Sequence, residues 1–104
     1  MKSAVLRNVN DIRLEDLPDP LADEGEVVIR VRACGVCATD INMWRGTNDE
    51  GTFPFVPGHE WAGEIVEVGP NSGEFSVGDR VVGECTMACQ ECRNCRDGLP
   101  PEAC

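Results

Sequence analysis

PGHEWAGEIVEVGPNSGEFSVGDRVVGE, residues 57–84, is the stretch whose reading decides the fold. Pro57 and Gly58 break the chain before it. WAGEIVEVG, residues 61–69, then reads as a strand. PNSG, residues 70–73, is a turn, and GDRVVGE, residues 78–84, begins a further strand.

The same grammar holds upstream. Residues 1–7 and 12–17 read as two short strands joined by a turn at Asn10 and Asp11. Pro18 and Pro20 interrupt the chain, and an acidic loop runs to Glu26. Residues 27–35, VVIRVRACG, set Val28, Arg30 and Arg32 against Val27, Ile29, Val31 and Ala33, the pattern of a half-buried strand. Thr39 to Arg45 predicts a short helix closed by Gly46. Residues 47–58 hold Gly51, Pro54, Pro57 and Gly58 and are expected to form a loop. The class is mainly β with one or two short helices. There is no internal repeat, no low-complexity segment and no Gly-rich phosphate loop.

A chain of 104 residues suits one small domain. Such a domain buries about two thirds of the surface its unfolded chain exposes. Hydrophobic residues make up 41%, a globular value. The net charge of −10 excludes a nucleic-acid surface, which needs a basic stripe. The acid excess reads as a solubility device. No apolar run reaches the length of a membrane span, and the first residues lack the apolar centre of a signal peptide. No membrane partner is expected, and the expected compartment is the cytoplasm. Seven cysteines is a high and odd number, which suits metal binding better than a disulfide framework.

Spacing sharpens that point. Cys89, Cys92 and Cys95 are separated by two residues each, and Cys104 follows after eight more. Zn²⁺ takes four soft ligands in a tetrahedron, and closely spaced thiolates supply them with little loop entropy to lose. A closed four-sulfur shell implies a structural ion. Free thiols or local disulfides are the alternative, but disulfides between such near neighbours would be strained. Cys104 is the natural fourth ligand. Cys85 competes with it, but reads better as a small apolar residue at a strand end. The lobe from 85 to 104 has almost no apolar core, so metal is the expected source of its order.

A second constellation lies nearer the N-terminus. Cys37 sits at a strand-to-helix corner, with Thr39 and Asp40 just after it. His59, the only histidine, stands beside Glu60 in a Gly-flanked turn. A lone histidine is by default a surface or core residue. A catalytic zinc, however, needs about three protein ligands and one open position, and Cys37, His59 and a carboxylate suit it. Thr39 and Asp40 would also serve as helix N-cap and first-turn acid. Trp44 and Phe53 are aromatics of the kind that fill cores, with a substrate pocket as the second use.

The string Gly58-His59-Glu60-x2-Gly63-x5-Gly69-x2-Ser72 resembles the zinc signature of the medium-chain alcohol dehydrogenases. CGVCATD, residues 34–40, is similar to that family's first ligand motif, and GDRVVG, residues 78–83, to its following strand. Cys89, Cys92, Cys95 and Cys104 resemble its structural-zinc lobe. The last gap is one residue longer than the family's usual one, and Gln90 stands where the family usually has glycine. The resemblance covers Met1 to Cys104, and its implications are as follows. The fold is a GroES-like, partly open β-barrel with short helices and a Cys-rich zinc lobe. Residues 1–104 are the N-terminal part of that catalytic domain, with the lobe at 85–104. Cys37 and His59 are catalytic zinc ligands. Glu60 lies at the metal as an alternating ligand or just outside its ligand set. Thr39 passes the substrate proton onward, and Asp40 hydrogen-bonds the ligand histidine. Cys34 packs and binds nothing.

The implied activity is hydride transfer between a small alcohol or polyol and NAD or NADP, with zinc as the Lewis acid. The chain carries no G-x-G-x-x-G after a strand, so the Rossmann domain is absent from it. The family places that domain, and the remaining catalytic ligand, downstream. A truncated or partial domain is therefore expected, inactive alone, with exposed strand edges prone to self-association. The full-length parent is expected to be a homo-oligomer. The GHE form and the Asp40-to-Trp44 spacing resemble the polyol and threonine branches more than the ethanol enzymes. Two other readings are a non-enzymatic structural zinc module, and a zinc-free reductase or co-chaperonin-like barrel. The histidine signature argues against the first. The cysteines argue against the second.

Overall fold

The computed structural model describes residues 1–47 and 52–104. Gly51, expected in the 47–58 loop, lies outside the described residues.

Two sheets make the frame. Strands β1 (Lys2–Asn8) and β2 (Asp11–Asp16) form an antiparallel hairpin with Lys2 opposite Asp16 and Leu6 opposite Ile12. Its turn is tighter than expected: Asp11 already belongs to β2, and Asn10 takes the left-handed conformation at φ 58°. Asparagine tolerates that region because its short polar side chain bonds locally. The second sheet is antiparallel in the order β3 (Val27–Cys34), β4 (Trp61–Val68), β5 (Arg80–Val82). Register runs from Val27 opposite Val68 to Cys34 opposite Trp61, with irregularities after Val28 and Val31. An isolated bridge between Leu6 and Phe55 ties the hairpin to the loop before β4.

Helix α1 (Ala38–Arg45) follows β3 directly, and Gly46 ends it in the left-handed conformation at φ 71°. The Trp44 carbonyl accepts from the Asn10 N–H at 2.7 Å, which docks the helix end on the hairpin turn. The lobe holds one helical turn, α2 (Arg93–Arg96), and a 3₁₀ turn at Pro101–Ala103.

The buried apolar core among the described residues is small: Val5, Leu6 and Ile65. Strand β3 is half-buried only over Val27–Ile29, whereas Val31 is 53% exposed. The alternating pattern predicts burial along its whole length. That burial needs a layer over the face, and the second half of β3 stands in solvent. No residue from 85 to 104 is buried, as the lack of periodicity there predicts. No described helix is long and apolar enough to cross a membrane.

Candidate metal centres

The sequence separates Cys37 from His59 and Glu60; the β3–β4 ladder reunites them. Cys34 pairs with Trp61, so the residue that follows β3 and the residue that precedes β4 meet at one end of the sheet. The Gly35 N–H donates to the Glu60 carbonyl at 2.8 Å and extends the pairing by one step. Ligand atoms of Cys37, His59 and Glu60 consequently lie within 4.8 Å of one another. Cys37 and His59 are partly buried and Glu60 is exposed.

Asp40 organises this corner. Its Oδ2 accepts from the Cys37 N–H at 2.9 Å, the reverse arm of a capping box at the start of α1. The N-cap residue is thus Cys37, and Thr39 lies inside the first turn rather than at the cap. Of the expected helix-starting uses, the first-turn acid is the one the structure shows. Asp40 Oδ1 is buried without a hydrogen-bond partner, alone in this respect among the described residues, and lies 3.7 Å from His59 Nδ1. A buried unpaired carboxylate oxygen is costly, and a His59 N–H turned toward it would relieve that cost. The Cys37 thiol lies 3.7 Å from Thr39 Oγ1.

The other cysteines near this corner play different parts. Cys34 is exposed and lies against Gly58, so it is outside the trio but not packed inside the protein. Cys85 is also exposed, not packed at a strand end. The strand before it stops at Val82, and its thiol donates to the His59 carbonyl at 3.7 Å. Trp44, 39% exposed, lines a mainly apolar cavity of about 400 Å³ with Asp40, Ile41 and Leu6. Phe53 instead stacks on Phe55, ring centroids 5.8 Å apart.

The lobe gathers Cys89, Cys92, Cys95 and Cys104 into a second cluster with all four sulfurs within 4.8 Å. Cys104, not Cys85, is the fourth member. The 3₁₀ turn carries it back so that its sulfur accepts from the Cys89 N–H at 3.3 Å. Sγ–Sγ separations are 3.4 Å for Cys92–Cys95 and 3.9 Å for Cys89–Cys95. Four sulfurs at about 2.3 Å from one zinc would stand about 3.8 Å apart, so the cluster has the right size. Its electrostatics favour a thiolate. Backbone N–H groups of Glu91 and Cys92 point at Cys89 and hold its thiol down at about 6. Cys95, hydrogen-bonded to Cys92, is pushed up to about 12. One sulfur is ready to carry charge, and Cys95 keeps its proton until a cation offsets the repulsion.

The donor sets therefore fit two kinds of site. The lobe offers four sulfurs and no open position. The corner offers one sulfur, one imidazole and one carboxylate, with room for a further ligand.

The family described as alcohol dehydrogenase GroES-like domain matches residues 23–103. Sorbitol dehydrogenase of Bacillus subtilis (strain 168) is 42% identical over 103 residues, covering 94% of this chain and 29% of that protein. L-threonine 3-dehydrogenase of Sinorhizobium medicae (strain WSM419) is 43% identical over 88 residues, 82% of this chain and 26% of that one. Among solved structures, a short chain alcohol dehydrogenase of E. coli CFT073 in complex with NADH superposes with a TM-score of 0.90. It is 33% identical, over 100% of this chain and 30% of that one. The chain thus spans under a third of each of these proteins.

Proposed function

The chain belongs to the alcohol dehydrogenase GroES-like domain family, and from that membership we propose that it is the zinc-holding front part of a dehydrogenase. The parent would move hydride between a small alcohol or polyol and NAD or NADP. The observation that carries the proposal is the meeting of Cys37, His59 and Glu60 at one corner, with the unpaired oxygen of Asp40 behind the histidine.

Cys37, His59 and Glu60 would hold the catalytic zinc, and Cys89, Cys92, Cys95 and Cys104 the structural one. The catalytic ion, when bound, supplies Lewis acidity that lowers the pKa of an alcohol hydroxyl. The chain's own residues do the rest. Asp40 Oδ1, 3.7 Å from His59 Nδ1, would accept its proton as a hydrogen bond and leave Nε2 as the metal-facing nitrogen. Through its other oxygen Asp40 also fixes the Cys37 backbone, so one carboxylate orients two ligands. Thr39 Oγ1, beside the Cys37 sulfur, is placed to take the substrate proton and pass it on. Glu60 is the exposed member, and so the one free to yield its place.

Sorbitol and threonine dehydrogenases among the relatives favour a polyol-like substrate with vicinal polar groups over a simple alkanol. Two zinc ions per chain, falling to one in Cys37→Ala, is the expected metal count. In the full-length parent Cys37→Ala should abolish alcohol oxidation. Oxidation at the parent rate would overturn the assignment, and a single ion untouched by Cys37→Ala would favour a purely structural zinc module.

A further inference from the structure

Gly35 sits between β3 and the Cys37 corner, and the Glu60 side chain folds back over it. A Cβ built on residue 35 would stand 2.6 Å from Glu60 Oε2, 3.2 Å from Glu60 Cβ and 3.6 Å from Glu60 Cδ. The first distance is closer than atoms of folded proteins tolerate. The backbone cannot relieve it by separating, because the Gly35 N–H is bonded to the Glu60 carbonyl at 2.8 Å. Nor is the glycine there for its conformational freedom. Its φ is not in the left-handed region, unlike those of Gly46 and Gly58. What the position needs is an empty space, and what fills that space is a carboxylate.

We propose that Gly35 is a positioning residue for Glu60: the missing side chain at 35 is what lets the Glu60 carboxylate reach the Cys37–His59 pair. The inference rests on the reading of that trio as a metal site. An alanine at 35 would meet the far end of a flexible, exposed side chain at 2.6 Å, and that side chain's Cβ at 3.2 Å, a contact that a shift of a few tenths of an ångström relieves. The carboxylate would swing into water at little cost to the fold, and the trio would lose its oxygen donor. The cheapness of that escape makes residue 35 a control over metal binding rather than over folding.

The test is a double-mutant cycle on the 104-residue chain. Zinc is titrated against a chromophoric chelator for the wild type, Gly35→Ala, Glu60→Ala and the double variant Gly35→Ala/Glu60→Ala. The trio's ion is identified as the one lost in Cys37→Ala. Gly35→Ala and Glu60→Ala should each weaken that ion's binding by about tenfold or more, the scale seen when a group supporting a metal site is removed. The double variant should bind no more weakly than Glu60→Ala, since there is no carboxylate left to displace. The lobe's ion should bind unchanged throughout. Wild-type affinity in Gly35→Ala overturns the proposal. So do losses that add in the double variant, which would place the defect in the backbone. If the wild type binds one ion and Cys37→Ala changes nothing, the metal-site reading itself fails and the proposal goes with it.

Discussion

Asp40 uses its two oxygens for two neighbours, and that division accounts for its burial. One oxygen closes the start of α1 on Cys37; the other waits on His59. Asp40→Ala should therefore weaken zinc at the Cys37 corner about 10- to 100-fold while leaving the lobe ion alone, as competition with a chelator would measure. In the lobe, Cys89 is held as a thiolate by neighbouring N–H groups. Since the thiolate is the nucleophile, iodoacetamide should label Cys89 first in metal-free protein, at a rate that climbs as pH rises through about 6. Cys95, pushed up to about 12, should stay unlabelled in that range. Peptide mass mapping reads both. The two groups of candidate ligands that the structure brings together were legible as candidates from spacing and from the string around His59. The choice of Cys104 over Cys85 was not, because it depends on the turn at Pro101–Ala103, which returns the chain by a path that spacing does not record. The role of Gly35 is hidden in the sequence for a similar reason. A glycine between two cysteines says nothing of the side chain lying over it.

At the scale of elements, the signature's last residue is structural. Ser72 is buried, and its hydroxyl lies 2.7 Å from the carbonyls of Glu26 and Gly69, so it pins the turn after β4 to the start of β3. Ser72→Ala should cost about 1 kcal/mol in urea unfolding, the loss of the hydrogen bond its buried hydroxyl makes. The β1–β2 hairpin carries a different kind of support. Arg7 pairs with Glu15 and Arg13 with Asp11 across an exposed face. Hydrogen bonds from the arginines hold both carboxyls below their usual range. A depressed carboxylate stabilises the fold at neutral pH and loses that effect as pH falls through its lowered value. Both pairs are solvent-exposed, so the effect is small. Acid titration of the hairpin should therefore show it in low salt and lose it in high salt, with hydrogen exchange of β1 amides as the readout. Strand existence was legible from alternation and turn residues. Strand burial was not: the pattern of β3 calls for a covered face along its whole length, and only Val27–Ile29 have one.

For the whole molecule, three buried apolar side chains among the described residues and a lobe with none leave residues 85–104 without an apolar organiser, the part the proposed structural zinc would take. Chelation of zinc should unfold that lobe first. Hydrogen exchange should rise sharply across residues 89–104 and little in β4, and zinc should restore it. The mainly β class, the turns, the helix stop at Gly46 and the two sets of metal-ligating residue types were determined by the sequence alone. Each follows from local chemistry: period-two alternation, the φ of glycine and asparagine, and the affinity of clustered thiols for a soft cation. The tertiary structure alone decided which residues meet. The β3–β4 register brings Cys37 to His59 and Glu60 across some twenty residues of chain, and the Asp40 oxygen faces that histidine only because α1 starts where the ladder ends. Proximity between distant segments is set by strand pairing and packing, which no local spacing encodes.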